Sequence, residues 1–129
     1  MAIDGVKIID SDQAYDIYNE VVGRYRDGEH VANIIKEILD TEKDDCQTDF
    51  FTEIYWTALA YSLWKIGHLT DDIRDKTLEL IKKGADPFWL EIDSKSLKQR
   101  QKVLDKLAIH LQTENPRPLK VTKAKTKRK

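Results

Sequence analysis

The most apolar stretch of the chain, residues 49–67, reads D-F-F-T-E-I-Y-W-T-A-L-A-Y-S-L-W-K-I-G. Twelve of the seventeen residues from 50 to 66 are apolar or aromatic, and the five polar ones do not gather on one helical face. A helix that is apolar nearly all round must be covered on most sides by other elements. The stretch therefore predicts a buried central helix, with Leu59, Leu63 and Ile66 among its most buried residues.

Capping signals and apolar spacing predict further helices on both sides of this axis. Asp10 or Ser11 is a good N-cap, with Gln13 placed to complete a capping box with Asp10. Five helices are expected at about residues 11–27, 30–41, 70–83 and 94–112, and from an opening near residues 45–48 to residue 66, with a short turn after residues 86–87. Strand-like alternation is confined to residues 6–9. The fold class predicted is all-α, a single compact bundle of about five helices around the central one.

Length and composition predict one intracellular domain. A chain of 129 residues buries roughly two-thirds of its unfolded surface, so it needs no disulfide or metal to fold. The single cysteine, Cys46, cannot form an intramolecular bridge and suits a reducing compartment. The N-terminus lacks a signal-peptide pattern, and the apolar stretch is too short and too charged to span a membrane. We expect a cytoplasmic protein with no membrane partner, as a monomer or weak dimer.

The formal net charge of −1 conceals an asymmetry along the chain. Residues 116–129 contain seven basic residues and no acidic one, which leaves 15 basic and 23 acidic residues in residues 1–115, a charge of −8. Few bulky apolar residues occur after residue 115, so we expect a helical domain at 1–115 and a disordered basic tail at 116–129. Such a division indicates charged partners.

No motif for catalysis, a cofactor or a metal is present in the sequence. The three histidines, His30, His68 and His110, are isolated, and no His-x-x-x-His or Cys-x-x-Cys spacing occurs. Cys46 has no nucleophile signature around it. Glycine-rich phosphate loops and nucleophile elbows are also missing. We expect a protein that is not an enzyme and binds no cofactor.

The acidic stretch at residues 40–53 is the candidate binding surface. If the central helix begins near Asp45, then Asp45, Asp49 and Glu53 form a stripe at four-residue spacing, with Trp56 just beyond. Acidic side chains beside aromatic ones suit docking of a basic partner. The predicted partner-binding residues are Asp44, Asp45, Asp49, Glu53 and Trp56. The competing interpretation is that the acids only complement the helix dipole and Trp56 belongs to the core.

The basic tail also has two interpretations. Its seven charges would give salt-dependent, sequence-independent binding to nucleic acid by counterion release. It has no aromatic residue on which a base could stack, which favours a solvated tail instead.

Four segments together resemble a known group of proteins. They are Y-W-T-A-L-A-Y-S-L-W-K-I-G-H-L (55–69), T-L-E-L-I-K-K-G-A-D (77–86), K-Q-R-Q-K-V-L-D-K-L (98–107) and N-P-R-P (115–118). This pattern is similar to small helical immunity proteins of bacterial polymorphic toxin systems, of the contact-dependent inhibition and Rhs kind. The resemblance implies stoichiometric binding to a cognate toxin, expected to be a nuclease, that occludes its active site or an adjacent surface. The group has no defined binding motif that could be transferred to this chain. The alternative function is a nucleic-acid-associated accessory protein acting through the tail.

Overall fold

The computed structural model describes residues 7–121, and this part of the chain is all-α, as predicted. It contains six α-helices and one 3-10 turn, and it has no strand. The elements are α1 (Asp12–Arg26), α2 (Val31–Leu39), α3 (Glu42–Asp45), α4 (Asp49–Ile66), α5 (Asp71–Lys83), the 3-10 turn (Pro87–Glu91) and α6 (Ser96–Leu111). No helix in the described range is long and apolar enough to cross a membrane.

Helix α4 is the axis of the core, as its apolar circumference predicts. Leu59 and Leu63 are completely buried and Ile66 is 2% exposed. Helix α1 runs beside α4 in the same direction, because Tyr18 stacks on Tyr61 and, farther along, Tyr25 contacts His68. The starts of these two helices therefore lie at the same end of the molecule.

Side-chain or glycine caps set several of the helix ends. The Ser11 hydroxyl accepts a hydrogen bond from the Ala14 amide and so caps α1. Gly67, at φ 78°, ends α4 in the left-handed region that suits glycine. The predicted capping box at α1 is wrong, because Gln13 Nε2 instead donates to the Asp45 carbonyl at 3.1 Å. That contact joins the start of α1 to α3.

The central helix begins at the late end of the range predicted for its opening, after Thr48 rather than at Asp45. Thr48 adopts an extended conformation, and its side chain caps α4 by accepting from the Phe51 amide. The four residues of α3 precede this break, so Asp45 and Asp49 belong to different helices. The predicted acidic stripe at four-residue spacing is therefore wrong, because a helix face cannot continue through an extended N-cap.

The chain after α6 packs against the end of α4. The last carbonyls of a helix have no partner within it, and here Asn115 Nδ2 lies 3.3 Å from both Trp64 O and Lys65 O. The Leu119 amide donates to Lys65 O at 2.8 Å, and its side chain packs on the core. Trp64 Nε1 donates to Thr113 O at 2.8 Å. We call residues 113–119 the C-terminal strap.

The strap extends beyond the predicted domain boundary at residue 115. Residues 116–121, assigned from the sequence to the tail, include the strap's final contacts with α4. Residues 122–129, the rest of the predicted basic tail, lie outside the described residues.

Candidate partner-binding site

A concave acidic surface lies between the start of α1 and α3. It encloses a volume of about 440 Å³. We call it the acidic cleft, and its lining residues are Asp12, Gln13, Asp16, Ile17, Asp44, Asp45, Gln47 and Phe51. The cleft therefore includes two of the five residues predicted from the sequence, Asp44 and Asp45.

Local structure and one long-range hydrogen bond bring these residues together. Asp12 and Asp16 are one turn apart on α1, and α3 carries Asp44 and Asp45. The hydrogen bond from Gln13 Nε2 to Asp45 O holds α3 against α1. Residues 30 positions apart in the sequence thus form the two walls of one cleft.

The cleft combines four carboxylates with a partly apolar lining. The side chains of Asp12, Asp16 and Asp44 are exposed and Asp45 is half-buried. Among the described residues, the cleft lining includes Ile17 and Phe51 and contains no lysine or arginine. Such a surface suits the cationic side chain of a partner. Its carboxylates can pair with the positive charge, and the aromatic ring can contact the aliphatic part of the same side chain. Within residues 7–121, no group of His, Cys, Asp or Glu side chains is arranged to hold a metal ion.

Glu53 was predicted to be an exposed site residue, and this is wrong. It is only 4% exposed, because its position on α4 faces α6 and the 3-10 turn. Glu53 Oε2 accepts from Arg100 Nε at 2.6 Å and from Trp89 Nε1 at 3.0 Å, and Oε1 accepts from the Asp86 amide at 2.8 Å. Arg100 also donates to Thr57 Oγ1 at 3.2 Å. We call this set of contacts the Glu53 network.

The Glu53 network is an internal brace between α4, α6 and the 3-10 turn. Arg100 is 1% exposed, and its guanidinium lies 4.7 Å from the centre of the Trp89 ring. Burial lowers the pKa of Arg100, whereas the charge of Glu53 opposes this effect. A buried ion pair is tolerated only when its remaining hydrogen-bonding capacity is satisfied, and Glu53 is satisfied by three donors.

The other predicted site residues also differ from expectation. Trp56 is 7% exposed, with Lys76 Nζ 5.7 Å from the ring centre, so it belongs to the core rather than to a docking surface. Asp49 is exposed at the first turn of α4, where its charge favours the helix dipole, but it does not line the cleft. For these two residues the competing interpretation describes the structure better: Asp49 complements the helix dipole, and Trp56 belongs to the core.

Asp12 and Asp16 were missed as site residues. Their four-residue spacing on α1 is visible in the sequence, but solvated acids with this spacing are common on helices. Only the packing of α3 against α1 distinguishes them. Arg100 was also missed, because it lies within the polar run K-Q-R-Q-K at residues 98–102, which resembles a solvent-exposed helix surface.

The lone cysteine and the histidines have local environments of their own. Burial raises the pKa of the Cys46 thiol to about 11, so the thiolate form is scarce at neutral pH. His110 stacks on Trp64 with ring centres 5.0 Å apart, and His68 contacts Tyr25.

No family model, no curated protein and no solved structure matches this chain. The resemblance to immunity proteins therefore stays a prediction, and the acidic cleft is the feature of this molecule from which a function can be argued.

Proposed function

We propose that this protein is an immunity-type inhibitor that binds one cognate bacterial toxin and neutralises it by stoichiometric occlusion. The acidic cleft is the observation that carries the proposal. The toxin class that fits best is a nuclease, because enzymes that act on nucleic acid present basic surfaces to their substrate. The inhibitor itself performs no chemical step and requires no cofactor.

The charge distribution supports this function at two ranges. Residues 1–115 carry a formal charge of −8, which would accelerate encounter with a basic surface. At short range, Asp16, Asp44 and Asp45 present carboxylates around a concave surface that can receive an arginine or lysine side chain. Long-range attraction sets the association rate, and the cleft determines where the basic side chain binds.

The direct test uses the cognate toxin domain, which the proposal predicts to be encoded by the gene adjacent to this one. Asp16→Lys and Asp44→Lys place a positive charge on each wall of the cleft. We expect each change to slow association and the pair to weaken neutralisation, because mutations of interface charges act mainly on the association rate and its salt dependence. Association rates measured across a salt series, together with inhibition of toxin activity, provide the readout.

The matched control is Glu79→Lys. Glu79 is an exposed residue of α5 that does not line the cleft, and the substitution changes the net charge by the same amount. If Glu79→Lys slows association as much as Asp16→Lys does, net charge rather than the cleft controls binding. All three variants should keep their stability within about 0.5 kcal/mol of the wild type, because surface changes away from caps and cores are mild.

The second candidate function is binding of nucleic acid through the basic end of the chain. Seven basic residues after position 115 favour it. Binding of duplex DNA that falls steeply with salt, and that disappears when the chain is truncated after Val121, would support this alternative. Toxin neutralisation by the same truncated chain would instead support the inhibitor.

A further inference from the structure

A second surface, separate in chemistry from the acidic cleft, lies at the 3-10 turn. Phe88 is 48% exposed, Leu90 50% and Ile92 39%. In the described range, five large apolar side chains are at least 39% exposed, and three of the five lie within residues 88–92. We call Phe88, Leu90 and Ile92 the apolar ridge. Single exposed apolar residues are ordinary, but several close together in the chain point to an interaction surface.

The structure holds the apolar ridge rigidly. Asp86 caps the turn, its Oδ1 accepting from the Phe88 amide at 2.9 Å. Between the ridge residues, Trp89 points inward, is 1% exposed and donates to Glu53. The Asp86 amide donates to the same carboxylate. The Glu53 network therefore fixes the turn at two points, and a fixed surface loses little entropy on binding.

The segment that carries the apolar ridge is acidic in its middle, and basic residues stand directly beside it at Lys83 and Lys95. Residues 84–94 contain Asp86, Glu91 and Asp93 and no basic residue. A partner that covers the ridge must therefore tolerate or complement negative charge at its edge.

Aromatic contacts connect the ridge to the acidic cleft. The ring centres of Phe88 and Phe50 are 4.6 Å apart, and those of Phe50 and Phe51 are 5.7 Å apart. Phe51 lines the cleft. The two surfaces thus flank the start of α4, close enough for one protein partner to contact both.

We infer that the apolar ridge is the hydrophobic anchor of the toxin interface, and that it inserts into an apolar pocket of the toxin bordered by lysine or arginine side chains. This inference rests on the proposed function, and it adds a site that the cleft does not provide. Three residues are too few for a stable interface by themselves. Combined with the cleft, they form the usual pattern of a buried anchor surrounded by charged contacts.

The test is the double variant Leu90→Ala and Ile92→Ala, measured against the same toxin domain. We expect its affinity to fall by about tenfold or more, chiefly through faster dissociation, as for central apolar contacts. The matched control is Ile109→Ala on α6, which removes part of a 64% exposed side chain outside the ridge. That variant should bind within about twofold of the wild type, and circular dichroism should show all variants folded.

The outcomes separate this inference from the proposed function. A wild-type chain that neither binds nor inhibits the toxin overturns both. If cleft variants weaken binding while the Leu90/Ile92 variant does not, the ridge inference alone is overturned. Glu91→Lys should weaken binding by introducing a positive charge beside the toxin's basic rim, and tighter binding overturns the predicted rim. A wild-type dimer in sedimentation equilibrium that Leu90→Asp dissociates shows that a second copy covers the ridge, and overturns the inference.

Discussion

The acidic stretch at residues 40–53 contains carboxylates in opposite environments. Asp44 and Asp45 represent one environment, and Glu53 represents the other. The two aspartates line an open cleft, whereas Glu53 lies under the 3-10 turn in contact with Arg100. Their side-chain chemistry is nearly the same. The difference shows that a run of acidic residues does not define a surface, because the helix position of each residue decides whether it meets solvent or another element.

The physical basis of the difference is the number of hydrogen-bond donors that the protein supplies to each carboxylate. A carboxylate can be buried when charged and polar groups satisfy it, and Glu53 receives hydrogen bonds from Arg100, Trp89 and the Asp86 amide. In the cleft, solvent can hydrate the exposed carboxylates of Asp16 and Asp44. These two carboxylates can therefore exchange water for a partner's cation, whereas the buried carboxylate of Glu53 cannot.

Removing one member of the Glu53 network should have the largest effect on stability. We expect Glu53→Leu or Arg100→Met to lower the free energy of unfolding by about 3–5 kcal/mol, because each leaves one buried charge without its partner. Urea denaturation would measure the loss. In the double variant the destabilisation should be much smaller than the sum of the two singles, since no charge stays unpaired.

Additive losses in this double-variant cycle would contradict the interpretation. They would show that Glu53 and Arg100 stabilise the fold separately, through Trp89 or through Thr57, rather than as a pair.

Removal of the C-terminal strap should have an intermediate effect on stability, and two truncations test this. Truncation after Asn115 removes the Leu119 amide bond to Lys65 O and the Leu119 side chain from the core. We expect a loss of about 1–2 kcal/mol from one hydrogen bond and a half-buried leucine, seen as a lower thermal midpoint.

Truncation after Val121 is the control, because residues 122–129 contain no large apolar side chain. Its thermal midpoint should equal that of the full chain. Equal midpoints for both truncations would show that the strap contributes no stability, and the sequence-based boundary at residue 115 would then be adequate.

The smallest expected effect concerns Tyr55, an interior polar group without a charge. Its hydroxyl donates to Ile38 O at 2.6 Å, an oxygen that the Thr41 hydroxyl also contacts at 2.6 Å. Because Ile38 O keeps this second donor, Tyr55→Phe should lower stability at pH 7 by only about 0.5–1.5 kcal/mol. Thermal denaturation of both proteins would measure the difference.

The same variant should reveal a pH dependence. Burial raises the pKa of the Tyr55 phenol to about 12 in the folded protein, whereas an unfolded chain loses this proton near pH 10. The unfolded state therefore binds fewer protons between these values, and the contribution of Tyr55 is complete below pH 10 and is lost as pH rises to 12. The stability difference between wild type and Tyr55→Phe should shrink over this range. A constant difference would mean that Tyr55 ionises equally in both states.

The helical architecture was accessible from the sequence because its signals are local. The apolar circumference of residues 50–66 requires cover on most sides, and Thr48, Gly67 and Asp86 act through hydrogen bonds or backbone angles within a few residues of themselves. For that reason the central helix, its termini and the burial of Leu59 and Leu63 agree with prediction. The short helix α3 was missed, since four polar residues carry no apolar periodicity.

The candidate sites depended on contacts between distant residues, which one sequence does not reveal. Gln13 bonds to Asp45, and Glu53 to Arg100, over separations of 32 and 47 positions. The sequence by itself determined the all-α class, the central helix and the excess of acidic charge in residues 1–115. Only the tertiary structure decided which acids are exposed, because exposure depends on which helix packs against each face, and burial of a charge depends on a partner supplied from elsewhere in the chain.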